Sequence, residues 1–262
     1  MAGFLIVFLL GMAVGGFLNT CIYRLPADEP LVGQAAHCRT CGIRLGLRDL
    51  VPVLSYVFLH GRCRACGEPI PARYALVELT TGTLFAWCFV VFGPAAVLAK
   101  ALALTAFLIV VTVIDCDHSL ILDRVVVALA ATGIVVNLVL YFAGSPGLFA
   151  AHYLSPPDML YGGLLGGAVM LAVVLLPGSG MGGGDFKFTA ALGLWLGWRL
   201  TMLMILLTFI FGGIGAAGLL LLRRKGRKEA IPYGPYIAAG AFVAMLYGAN
   251  IVAWYLGHLP GR

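Results

Sequence analysis

Two aspartates occupy the positions in this chain where chemistry is easiest to argue. Asp115 closes an apolar run in VTVIDCDHSLILD, and Asp185 follows three glycines in GMGGGDFKF. The chain holds only eleven acidic residues among 262. An ionisable group at the end of an apolar span is a functional candidate by default, because charge is costly inside a bilayer. Two carboxyl groups brought within about 3 Å cannot both ionise, so they share one proton and titrate as a pair. The ionised member can take a proton from water while the protonated member donates to a scissile carbonyl oxygen. Amide hydrolysis then needs neither a metal nor a covalent intermediate. Gly182, Gly183 and Gly184 leave the backbone unobstructed ahead of Asp185 and make positive φ inexpensive. Lys187 could tune that carboxylate or mark the membrane interface. Glycine-rich membrane segments also serve plain helix packing, and a single aspartate at a span end is commonly an interfacial residue. What raises this pair above those readings is matching depth on one face. Asp117 and Asp123 lie further into the polar loop and take supporting roles, and Asp158 falls on the opposite side.

A second constellation is Cys38-Arg-Thr-Cys41 and, after 21 residues, Cys63-Arg-Ala-Cys66. Two CxxC knuckles at this kind of spacing are the signature of a tetrahedral structural zinc site. Gly42 and Gly67 follow them and suit the tight turn of a knuckle. Four thiolates fill the coordination shell, so the metal would be structural, and its binding would supply folding energy to a loop poor in core residues. The competing reading is a redox dithiol system, which belongs on an oxidising side. Cys21, Cys88 and Cys116 read as small apolar fillers, and His37 as a loop histidine.

The elements that must position these groups are membrane spans. The chain is 61% hydrophobic and 11% charged, with mean hydropathy +1.01, far from the roughly one-quarter charged composition of soluble domains. Spans need roughly 20 mostly apolar residues. Eight are expected: 3–23, 74–92, 96–114, 124–143, 159–177, 188–198, 200–222 and 236–256. The sixth is short, and it could form one bent element with the seventh. The fold class is therefore an all-α polytopic membrane bundle with a small zinc-knuckle loop. Its parts are a first helix over 1–23, a loop over 24–73 and a bundle over 74–262. The first residues carry no basic segment or small-residue cleavage site and read as a retained span.

The net charge of +6 is topological and not a sign of nucleic-acid binding. Fourteen of seventeen Lys and Arg fall on one side of the predicted map, including seven arginines from Arg24 to Arg73 and the run from Arg223 to Lys228. Lys100, Arg199 and Arg262 fall on the other. Basic residues concentrate on the cytoplasmic side, so Asp115, Asp185 and the cysteine loop are expected to face the cytosol. The 144–158 loop, with no basic residue, is expected outside.

In these residues the sequence resembles the bacterial type IV prepilin leader peptidases. GGFLNTCIYRLP (15–26), both CxxC pairs with HGRCRACGEPIPARYALVEL (60–79), VIDCDHSLILD (113–123), GGGDFK (182–187) and IPYGPYIAAG (231–240) carry the resemblance along nearly the whole chain. It implies that Asp115 and Asp185 are the catalytic pair of an aspartic endopeptidase of the bacterial inner membrane. The implied substrate is a type IV prepilin or type II secretion pseudopilin, cut on the cytosolic side. Many members then methylate the new amino terminus with S-adenosylmethionine, a role that goes with the cysteine-bearing loop. Leu122 stands where the family usually has proline, and Pro52, Ser55 and Tyr56 remain from a motif between the knuckles. Arg24, Glu78, Lys187 and the 232–235 segment could shape a site or bind substrate. Two other classes differ in their marks. A membrane thiol–disulfide oxidoreductase would carry its cysteines outside, and a proton-coupled transporter would carry its charges midway along spans.

Overall fold

A computed structural model describes residues 1–31, 37–38, 40–143, 154–176, 181–221 and 232–258. The basic run at 223–228 and most of the 144–158 loop lie outside the described residues. Among the described residues the chain is helical, with two isolated β-bridges, His37 to Arg44 and Arg62 to Pro69. The helices are α1 (Ala2–Arg24), α2 (Leu54–Phe58), α3 (Arg73–Phe92), α4 (Ala96–His118), α5 (Asp123–Phe142), α6 (Pro156–Val174), α7 (Gly183–Leu221) and α8 (Gly234–Gly257). A 3₁₀ turn spans Leu47–Leu50. Seven of the helices are long and apolar enough to cross a membrane, which makes this a multi-pass membrane protein. Exposed Phe142, Leu164 and Ile214 are the apolar surface expected where lipid is the solvent.

Seven such helices stand where eight spans were expected. The sixth and seventh candidates form one continuous element, α7, whose single non-helical residue is Gly197 at φ 71°, ψ 168°. The chain nevertheless reverses there. A Cβ on Gly166 would meet Thr189, and one on Gly162 would meet Gly193, so α6 runs antiparallel to the first arm of α7. Beyond the bend, Gly248 would meet Leu200, Gly240 would meet Thr208, and Gly212 would meet Tyr233. The second arm of α7 therefore runs antiparallel to α8, back toward the end of the bundle from which α7 started. Hydropathy sees one long apolar run, whereas the backbone makes two passes.

Two compact units divide between Pro94 and Ala95. In the first, α1 packs on α3 through closely spaced small residues. A Cβ on Gly11 would lie 2.7 Å from Gly82 Cα, and one on Gly15 would lie 2.7 Å from Glu78 Cα. Asn19 Nδ2 donates to the Tyr74 carbonyl at 3.0 Å. In the second, α6 and α7 approach until Gly162 and Gly193 touch backbone to backbone. Trp195, fully buried, donates from Nε1 to the Leu129 carbonyl at 2.8 Å, and Asn137 donates to the Leu194 carbonyl at 3.0 Å. These polar ties between α5 and α7 fix helices that have no water-driven hydrophobic force between them. Ser155 caps α6, its Oγ accepting from the Asp158 backbone N–H, at the end of the bundle away from Asp185.

Candidate functional site

Asp115 lies on the last turn of α4, which ends at Ser119 with φ 50° in the left-handed region. Asp123 opens α5 after a four-residue link. Leu122, in the position of the family's proline, takes φ −74°, ψ 125°, a conformation proline also adopts. Asp185 is the third residue of α7. Its Oδ2 accepts from the Gly182 N–H at 2.9 Å, while its own N–H donates to the Gly182 carbonyl at 3.1 Å. A carboxylate at this point of a helix satisfies an otherwise unpaired amide and lies at the positive end of the helix dipole. Asp115 finds a matching donor elsewhere, because its Oδ2 accepts from the N–H of Gly234, the first residue of α8, at 2.9 Å. Both aspartates are buried, with relative exposures of 4% and 6%, and they lie within electrostatic reach of one another.

Two glycines are required by approach. A Cβ on Gly184 would stand 2.8 Å from Ile121 Cβ, so α7 starts against the α4–α5 link. A Cβ on Gly234 would stand 2.7 Å from Asp115 Oδ2. Gly182, Gly183 and Gly184 take no positive φ, so the freedom expected for them is not used. Gly182 contributes its backbone amide, and Gly184 its lack of a side chain.

The supporting residues divide. Lys187 turns to Asp123, its Nζ donating to both carboxylate oxygens at 2.8 and 2.9 Å and joining α5 to α7 at the surface. Asp117 is exposed on α4, two residues beyond Asp115 and hence on a different face of the helix. Arg24 and Glu78 belong to the first unit. Gly234 is the functional neighbour that sequence reasoning approached only through the 232–235 segment. Tyr233, just before it, is pushed up to about 12 by burial, by the charge of Asp185 and by Tyr236, so its phenol keeps its proton at neutral pH.

The four cysteines converge. Cys38, Cys41, Cys63 and Cys66 place all four Sγ atoms within 4.8 Å of one another. Their two knuckles are built alike. Gly42 N–H donates to Cys38 O at 2.9 Å and Gly67 N–H to Cys63 O at 2.9 Å, with positive φ at both glycines. Cys38 N–H in turn reaches Ile43 O, and Cys63 N–H reaches Glu68 O. Cys38 Sγ and Cys66 Sγ are 3.8 Å apart, matching the roughly 3.8 Å edge of a tetrahedron with Zn–S bonds of about 2.3 Å. No disulfide joins any of the seven cysteines. The Cys41 and Thr40 backbone amides and the neighbouring thiols lower Cys38 to about 6. The Glu68 amide favours the Cys66 thiolate, but desolvation and the other three sulfurs outweigh it and push Cys66 up to about 12. Four thiolates so close together call for a cation, and this donor set fits zinc.

Residues 9–92 match the family model Bacterial Peptidase A24 N-terminal domain, and residues 102–217 match Type IV leader peptidase family. A protein of Aeromonas hydrophila named prepilin leader peptidase/N-methyltransferase is 35% identical over 97% of this chain and 93% of its own length. The chain belongs to the type IV leader peptidase family. Relatives of the same name in Bacillus subtilis and Pseudomonas aeruginosa are 32% and 35% identical over 96% and 95% of this chain, and over 97% and 91% of their own lengths. No solved structure gives a significant match. The leader peptidases are aspartic peptidases, and both buried aspartates fall within the segment matched to that family. The cysteine cluster falls within the separately matched N-terminal domain.

Proposed function

We propose that this protein cleaves the leader from type IV prepilins or pseudopilins with Asp115 and Asp185 as its catalytic pair, and that it methylates the amino terminus so exposed. The observation carrying the cleavage reading is the matched seating of two buried carboxylates. Each is fixed by a glycine amide at a helix start, and each is within reach of the other's charge. Sharing one proton, the pair takes a proton from water as the oxygen attacks the scissile carbonyl. It returns a proton to the amine as the C–N bond breaks. The substrate's apolar segment docks among the helices and brings its leader junction to the end of the bundle where α4 ends and α7 and α8 begin. The fourteen-to-three distribution of Lys and Arg supports a cytosolic site in a bacterial inner membrane.

Cys38, Cys41, Cys63 and Cys66 would hold a zinc ion, and four thiolate ligands would make its role structural. The relatives' name supports the methyl transfer, for which S-adenosylmethionine would supply a methyl group on a sulfonium. The described residues outline no donor set for that cofactor.

Leader cleavage of a co-expressed prepilin in membranes tests the pair. Asp115→Asn and Asp185→Asn should each lower cleavage by about 10³-fold or more at unchanged membrane insertion. Parent-level cleavage by either variant would remove that residue from the pair.

A further inference from the structure

Val53 holds a strained backbone between the two knuckles. Its φ of 59° and ψ of −47° are those of a positive-φ γ-turn, a rare and strained form, and Leu54 N–H donates to the Pro52 carbonyl to close it. A β-branched residue is the least suited to such a conformation. Strain of this kind persists only where surrounding contacts over-determine it, and it gathers at functional sites. The contact that holds it is Glu78 on α3, whose Oε2 accepts the Val53 N–H at 2.7 Å. Glu78 is itself wedged against α1, where Gly15 and Gly16 leave room. A Cβ on Gly15 would lie 2.7 Å from Glu78 Cα, and one on Gly16 would lie 3.6 Å from Oε1. One carboxylate thus ties α1, α3 and the strained turn between the two knuckles. A structural loop could have used glycine at position 53 and spared the carboxylate.

We infer that Glu78 is a positioning residue for methyl transfer, holding the cysteine-bearing segment through Val53 in the geometry that transfer requires. The inference rests on the methyl-transfer reading. It is favoured because the N-terminal domain is matched separately from the segment holding both aspartates, which leaves that domain for the second activity.

The test uses the full chain in membranes, with a prepilin and radiolabelled S-adenosylmethionine. It measures cleavage, methyl incorporation, zinc content and hydrogen exchange at the Val53 amide for Glu78→Ala and Glu78→Gln. Glu78→Ala should lose methylation at least tenfold, keep cleavage within about twofold and keep its zinc, while the Val53 amide exchanges faster. Glu78→Gln, whose amide oxygen still accepts, should restore most methylation and the protection of Val53. Parent-level methylation by Glu78→Ala overturns the inference, as does equal loss in both variants or a parallel fall in cleavage. A parent that cleaves without methylating removes the transfer reading and this role together. A parent that does both, matched by Glu78→Ala, removes the role alone.

Discussion

Gly234 and Asp115, 119 residues apart in sequence, meet through one hydrogen bond of 2.9 Å. The bond sets the start of α8 against the last turn of α4, and it can form only because residue 234 has no side chain. Gly234→Ala would put a methyl group 2.7 Å from the carboxylate oxygen and push the two elements apart. Losing a hydrogen bond to a charged group costs about 1.5–3 kcal/mol. Cleavage is therefore expected to fall about 10- to 100-fold with the chain still inserted, as read by leader processing against membrane abundance.

The Lys187–Asp123 pair makes the opposite case. Both side chains are largely exposed, at 44% and 67%, and exposed pairs contribute about 0–1 kcal/mol. Lys187→Ala or Asp123→Asn should change thermal stability in detergent by a degree or two and cleavage by less than about fivefold. A loss near that of the Asp185 variant would place the ion pair in the chemistry.

Metal uptake by the cysteine cluster should be pH-dependent in a defined direction. Cys38, lowered to about 6, is mostly thiolate at pH 7, whereas Cys66, pushed up to about 12, still carries its proton. Binding must expel that proton, so apparent zinc affinity should rise from pH 6 to pH 8. Competition with a chelator across that range measures it. Cys66→Ser should weaken affinity and flatten the slope.

Leu122 already holds a proline-compatible conformation, with φ of −74°, at the residue before α5. Leu122→Pro should therefore leave cleavage intact and stabilise the chain by about 0.4–1 kcal/mol through the unfolded state. A thermal shift measurement on the purified protein reads this, and a drop in stability would show that the Leu122 side chain or N–H has a role in the link.

How much of this was legible beforehand depends on whether a feature is local. Asp115 and Asp185 stood out because charge is scarce in this chain and both mark span ends. The knuckles announced themselves by spacing, and Gly42 and Gly67 take the positive φ that tight turns require. Gly234 carried no such signal. Its importance is that it touches Asp115, a long-range contact written nowhere near either residue. Val53 was hidden for a related reason, since nothing in Pro-Val-Leu-Ser announces a γ-turn held by a carboxylate 25 residues on. Lys187 looked like a partner of Asp185 by proximity in sequence, yet helical geometry sends it to Asp123. The break at Gly197 was legible as well, since 188–198 and 200–222 read as separate spans that one bent element could also join.

That reversal bears on where hydrolysis can happen. The arm of α7 from Gly183 to the bend has about 14 residues and is about 21 Å long at 1.5 Å per residue. A bilayer's hydrocarbon layer is about 30 Å thick. If the bend lies at one boundary of that layer, Gly183 sits roughly 9 Å below the other and Asp185 about 12 Å below it. On the proposed cleavage reading the short arm would then make a well: lipid would thin or part around it, and water would descend that far to meet a peptide bond drawn beneath the surface.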